Sequence, residues 1–198
     1  MRYPQHLLKL IDVFKRLPGV GSKSAERFAF QLLTWPKEKV IEMAKVLEEV
    51  PLKLHACAQC GCLAGDERCS FCEPDRAKTG FICVIASARD AFAIENTHEY
   101  QGLYHVLGGL LSPMHGMGAE KLNLDLLKQR IATLHLTDVV LALDSTLEGD
   151  ATSLYIKREL DPLHLNISRL AFGIPLGSSL DYVDGGTLAR AFLGRGRF

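Results

Sequence analysis

Leu7, Leu8, Ile11, Phe14 and Leu17 recur at the spacing of one helix face, which predicts an amphipathic helix over residues 5–16. Pro18, Gly19 and Gly21 interrupt it, because proline disfavours helix in the residue before it and glycine permits a tight turn. A second helix is predicted from Ser22, with Ala25, Phe28, Ala29 and Leu32 on one face. A third follows Pro36, with Val40, Ile41, Ala44, Leu47 and Val50 apolar and Pro51 as its end. The period changes at Phe81. Phe81–Ala86, Tyr104–Leu107, Val139–Leu143 and Ile167–Phe172 are short apolar runs suited to a sheet buried on both faces. Between them Asp90–Glu99, Leu122–Leu134 and Asp150–Leu160 read as helices, and Gly108–Gly118 as an irregular loop. Thr187–Leu193 reads as a short final helix. Strands alternating with helices predict a parallel, helix-covered sheet.

Between the helical head and this α/β body lies CAQCGCLAGDERCSFC, Cys57 to Cys72. Cys57 with Cys60, and Cys69 with Cys72, form two C-x2-C pairs that can place four thiolates around one ion. Soft sulfur ligands in tetrahedral geometry suit Zn²⁺ best and iron second. Four thiolates already complete the coordination, so one structural zinc per chain is expected; buried or disulfide-bonded cysteines are the alternative. Arg68 is a candidate to offset part of the site's negative charge.

At 198 residues with 47% hydrophobic content, the chain is long enough for one large domain or two to three small ones. Its 23 basic and 23 acidic residues cancel overall, but not locally. Residues 1–56 carry a net +4, 57–80 a net −1, 81–184 a net −6 and 185–198 a net +3. A basic head and tail around an acidic body suggest polyanion contact at the ends and cation or partner contact between them. Charges among the first fifteen residues argue against a secretory signal, and no apolar run approaches the roughly 20 residues of a membrane span. Cys62 and Cys83 are left over as free thiols, in keeping with a cytoplasmic location.

Helix, glycine turn and helix, with Lys23 and Arg27 four residues apart beside the turn, resemble the helix-hairpin-helix motif of sequence-independent DNA binders. Backbone N–H groups at the second helix's start would grip phosphate, Gly19 and Gly21 would allow close approach, and Lys23 and Arg27 would anchor it. An ordinary helical hairpin with solvated charges is the alternative. In the body, Asp144, Glu148 and Asp150 follow the third strand, where ligands meet open α/β sheets, and offer hard oxygen ligands to Mg²⁺. This arrangement resembles the Toprim domain of topoisomerases and primases. Ala86, however, occupies the position after the first strand where that family places a glutamate, and the second motif reads D-S-T-L-E-G-D rather than D-x-D. Catalysis by metal-assisted phosphoryl transfer is therefore not expected. Docking of a basic partner, weak Mg²⁺ binding, or simple stabilisation of the next helix by Asp150 remain as roles for the acids. His105 and His115 lack an evident nucleophile and are read as structural.

Leu17–Leu33, Cys57–Cys72, Tyr104–Pro113, Leu147–Ile156 and Ile167–Arg195, in that order, resemble the RecR family of bacterial recombination mediators. The resemblance implies a multi-module α/β protein. Its modules would be a helix-hairpin-helix head over 1–56, a C4 zinc finger over 57–78, a Toprim-like domain over 79–172 and a Walker B-like C-terminal segment over 173–198. It implies no enzymatic activity, but mediation of DNA repair: joining RecO, and in other settings RecF, to load RecA onto single-stranded DNA covered by SSB. It further implies binding of single- and double-stranded DNA, a homo-oligomeric ring (dimer or tetramer), nucleoid association when active, and the Glu148/Asp150 loop as a surface for RecO. The Asp184 of Leu180–Asp184 resembles a Walker B acid, but no phosphate-binding G-x-x-x-x-G-K-[ST] loop accompanies it, so ATP hydrolysis is not expected. Arg190, Arg195 and Arg197 are candidates for contact with a neighbouring subunit or DNA. The competing reading is a Mg²⁺-dependent Toprim nuclease or primase-like phosphotransferase using the three acids, and a pure assembly scaffold is a third.

Overall fold

A computed structural model describes residues 3–196, and the chain divides into two compact units, residues 1–53 and 54–198. The smaller unit holds α1 (Gln5–Lys15), α2 (Ser22–Leu33) and α3 (Lys37–Lys53). Ile11 of α1 and Ala25 and Ala29 of α2 form its buried centre, with Leu7, Leu10, Phe14 and Val20 packed around them. The two alanines, four residues apart, present no bulk on the face that meets α1. Phe14 and Phe28 close one side edge-to-face, their ring centroids 6.0 Å apart. Contrary to expectation, Pro51 does not end α3, which continues to Lys53. Proline costs a helix its N–H bond; this stretch of α3 is exposed, so water can take the carbonyl left over. No residue of α3 is buried.

The larger unit begins with a two-stranded antiparallel ribbon, β1 (His55–Ala56) and β2 (Leu63–Ala64), followed by the short α4 (Pro74–Ala77). The body then runs β3 (Phe81–Ile85), α5 (Ala88–Glu95), β4 (Leu103–Val106), α6 (Leu124–Leu134), β5 (Asp138–Ala142), α7 (Leu147–Leu160), β6 (Asn166–Arg169) and α8 (Gly185–Leu193). The four strands of the body pair in parallel in the order β4-β3-β5-β6, as the alternation predicts. Ile82 and Val84 of β3 join Leu127, Ile131, Ile156 and Leu160 of the helices in one core layer. Cys83 and Ile85, pointing the opposite way, join Tyr104, Val106, Phe71, Cys60 and Cys62 in another. The cysteine segment thus covers the second face of the sheet.

Helix boundaries differ from the periodic reading where a cap decides them. Asp90 accepts the Ser87 N–H at 2.8 Å, so α5 starts at Ala88; it ends at Glu95, short of Glu99, and His98 lies beyond it in the left-handed region at φ +59. Thr146 Oγ1 accepts the Gly149 N–H at 3.1 Å, so α7 starts at Leu147 rather than Asp150. Gly149 is buried against the chain before it: a Cβ there would stand 1.9 Å from the Asp144 carbonyl oxygen.

Candidate functional site

Two tight turns carry the cysteines. Cys57 N–H donates to the Cys62 carbonyl and Gly61 N–H to the Cys57 carbonyl, both at 2.8 Å, while Cys72 N–H donates to the Cys69 carbonyl at 2.9 Å. Gly61 takes φ +76 with Val106 so close that a Cβ would meet its side chain at 2.8 Å, so turn shape and space both demand glycine. The sulfurs of Cys57, Cys60, Cys69 and Cys72 lie within 4.8 Å of one another, with Cys57–Cys72 at 3.9 Å and Cys60–Cys69 at 3.5 Å. A tetrahedron of sulfurs each about 2.3 Å from one zinc has edges of about 3.8 Å. None of the six cysteines is disulfide-bonded. Hydrogen bonds from Cys62 and Cys72 hold Cys60 far below the ordinary thiol range. The hydrogen bond to Cys60 and then burial push Cys72 up, and burial followed by Cys60 pushes Cys69 up to about 11. Four thiolates this close cannot ionise together without a cation, so the donor set fits a structural zinc.

The cysteine segment is fastened to the sheet edge. Val106 N–H donates to the Cys60 carbonyl at 2.8 Å, and Phe71 packs edge-to-face on Tyr104 and Phe92, each centroid 5.4 Å away. Arg76 reaches from α4 to Glu95 at 2.6 Å and to the Gly102 carbonyl at 2.9 Å. Arg68 is exposed and lines an open cavity of about 600 Å³ beside Cys57, Cys69 and Cys72.

In the smaller unit, Gly19 turns the hairpin at φ +77 and Gly21 stands at the N-cap of α2, with no side chain capping the first turn. A Cβ at either glycine would meet nothing within 4 Å, so the helix start is open to an incoming group. Lys23 and Arg27, one helical turn apart, are both exposed, and the Arg27 guanidinium lies 5.7 Å from the Phe28 ring centroid.

The acids of the sheet's C-terminal edge are not drawn together. Among the described residues, the four cysteines are the only cluster of three or more His, Cys, Asp or Glu side chains able to share one ion. Asp144 and Glu148 face solvent. Asp150, in the first turn of α7, is paired with Arg169 at 2.7 Å and Arg190 at 2.8 Å, which hold its carboxyl below the usual carboxylate range. Both guanidinium groups also flank Phe172, 4.5 and 4.8 Å from its centroid. Arg190 therefore ties α8 to α7. Asp184 caps α8, its two oxygens accepting from the Thr187 N–H at 3.0 Å and hydroxyl at 2.6 Å. Ala86 is packed against the core layer. His105 is fully buried and His115 pairs with Ser112 at 2.8 Å. Arg197 lies outside the described residues.

Three family models match in chain order: "RecR, helix-hairpin-helix" over residues 7–50, "Toprim domain" over 80–171 and "RecR, C-terminal" over 173–195. A protein of Protochlamydia amoebophila named Recombination protein RecR is 58% identical over 198 residues, covering 100% of both chains. The chain belongs to the RecR family. Proteins of the same name from Chlamydia abortus and Desulforudis audaxviator are 46% and 44% identical over 197 and 195 residues, each covering 98% of both chains.

For a RecR chain, the open hairpin falls inside the first matched range and the paired Asp150 inside the second, while the cysteines lie between these two ranges. Sequence reasoning missed three features: the Arg76–Glu95 tie, the Asp150–Arg169–Arg190 knot, and Arg130 buried beneath β4. Each joins residues far apart in the chain, and no local spacing signals them. The one available hint was an arginine, Arg130, among the apolar positions of α6.

Proposed function

We propose that this RecR-family chain is a non-catalytic, DNA-binding recombination mediator in DNA repair. It would act with RecO, and with RecF as a further candidate partner, to help load RecA onto SSB-coated single-stranded DNA. The observation that carries the reading is the uncapped start of α2, with Gly21 open and Lys23 and Arg27 exposed one turn apart. Bare N–H groups with two cations beside them suit a phosphate backbone and carry no base-reading side chain, as expected of a protein that must act on any sequence. Residues 1–56 would be the DNA-binding head, 57–78 the zinc clip, 79–172 the Toprim-like body, and 173–198 the C-terminal segment.

Cys57, Cys60, Cys69 and Cys72 would hold one zinc, whose contribution is to lock the clip that covers the second sheet face. The Glu148/Asp150 loop at the sheet's C-terminal edge, with Glu148 exposed, is the candidate surface for RecO. A ring-like homo-oligomer, dimer or tetramer, would bring several heads onto one DNA, and the site of action would be cytoplasmic, at the nucleoid. The competing nuclease or primase-like reading loses support from Ala86 in place of a carboxylate and from the two arginines already neutralising Asp150. Fluorescence anisotropy with labelled single- and double-stranded DNA, with Mg²⁺ present and with and without RecO, tests the reading. Salt-dependent binding of uncut DNA, strengthened by RecO, is the expected result. Cleavage lost in Asp144→Ala would overturn it, and binding to RecO without any DNA affinity at low salt would leave only a scaffold.

A further inference from the structure

Arg130 is an internal cation without an internal anion. It is 8% exposed, yet no ion pair among the described residues includes it. Its Nη1 donates to the Tyr104 carbonyl at 2.7 Å and to His105 Nδ1 at 3.2 Å. His105 Nε2 faces the Asn123 carbonyl at 2.7 Å and must carry the proton, so the ring accepts from Arg130 only in its neutral form. Burial, ahead of the Arg130 charge, keeps it neutral by lowering its pKa to about 4. Nη1 has spent both its protons. The Nε and Nη2 N–H groups have no hydrogen-bond partner among the described residues, and neither is among the enclosed unpaired atoms, so this edge of the fork opens to the cavity rather than being sealed inside.

Arg130 lines a cavity of about 230 Å³ whose polar walls are Gln59, Gln129 and Thr133, with Leu126 and Leu134 as apolar ones. No acid lines it. Gln59 comes from the turn between Cys57 and Cys60 and the others from α6, so the cavity exists only where the cysteine clip meets the body. At roughly 30 Å³ per water it has room for several waters, or for one tetrahedral oxyanion. A planar guanidinium fork matches two oxygens of such a group, amides and a hydroxyl can supply further donors, and a buried charge demands a counter-ion. We propose that this cavity is an oxyanion site, taking one phosphate-type group on the Nε/Nη2 edge of Arg130, with Gln59, Gln129 and Thr133 around it.

The test uses the full, metal-loaded chain, with inorganic phosphate titrated against chloride at equal ionic strength and read by thermal denaturation and calorimetry. Phosphate stabilises the wild type saturably. Gln129→Glu, at an exposed helix position that tolerates the change, places a carboxylate at the cavity and weakens phosphate at least about tenfold. Arg130→Lys keeps the charge, loses the fork and weakens it too. A short oligonucleotide titrated in the Lys23→Ala/Arg27→Ala background separates the sources. Oligonucleotide binding that Gln129→Glu abolishes identifies a nucleic-acid phosphate, and an effect of phosphate alone identifies the free ion; either supports the site. Equal responses to phosphate and chloride in the wild type, or equal phosphate responses in wild type and Gln129→Glu, overturn it. Metal loss in Arg130→Lys without any phosphate effect on the wild type also overturns it, by assigning Arg130 to the thiolates.

Discussion

Removing Lys23 and Arg27 together should weaken DNA binding in a way that salt reports. Both side chains are exposed on α2, and neither takes part in an ion pair among the described residues, so their truncation costs little stability. Alanine is the better helix former at both positions, which offsets the surface contact of Arg27 with Phe28, worth about 0.5–1 kcal/mol. Each cation that neutralises a phosphate of duplex DNA contributes about 0.9 to the slope of log affinity against log salt, so two contribute about 1.8 per head engaged. Between 50 and 200 mM salt, a fourfold range, that slope difference corresponds to about 12-fold: the wild type's advantage over Lys23→Ala/Arg27→Ala shrinks by this factor across the range. The assay is anisotropy at four or more salt concentrations, with circular dichroism to establish that the variant folds. Lys157→Ala/Arg158→Ala, which removes the same charge from the exposed face of α7, is the control and should leave the slope unchanged. A folded Lys23→Ala/Arg27→Ala variant with the wild-type slope would refute the hairpin as the phosphate grip.

Protein purified without chelator should carry one zinc per chain by elemental analysis, and Cys57→Ser or Cys72→Ser should lose it and unfold the clip, since structural zinc contributes about 10–16 kcal/mol to folding in small zinc domains. A wild-type chain free of metal would defeat that claim. Gly149→Ala should destabilise the body by at least about 1–3 kcal/mol in urea denaturation, because its Cβ would stand 1.9 Å from the Asp144 carbonyl oxygen. Gly173→Ala, with nothing within 4 Å, is the neutral counterpart, and equal effects would contradict the packing argument. Asp150→Asn should loosen α8, seen as faster tryptic cleavage at Arg190. In the wild type the same loosening should follow acid. Asp150 is held below its ordinary pKa by Arg169 and then Arg190, so its contribution is present above the unfolded carboxylate value of about 3.9 and fades as pH falls through the lower folded one. Tryptic cleavage insensitive to the substitution, together with amide hydrogen exchange of α8 insensitive to acid (trypsin itself being inactive there), would remove the knot's role.

Much of the molecule was legible without coordinates, and the corrections are instructive. Period alone placed α1, α2 and all four body strands to within a few residues, because one-sided or two-sided burial writes itself into local spacing. It misplaced helix starts at Ala88 and Leu147, where Ser87 with Asp90 and Thr146 act as caps outside the apolar pattern. It also overestimated Pro51, whose cost falls on an exposed stretch of helix.

By itself the sequence determined the hairpin, the alternation of strand and helix, and the four-thiolate set, since each is a matter of residue type at short separation. Only the tertiary structure decided what these parts do to one another. It turned Cys60, Cys62 and Phe71 onto the face of the sheet that Cys83 and Ile85 present, so that the clip completes a core. It brought Arg169 and Arg190 to Asp150, so that this carboxylate ties α8 to α7. It also buried Arg130 with no carboxylate beside it. Charges pair according to distance in space, and the distance between residues on different strands and helices is set by how those elements pack, which no local period records.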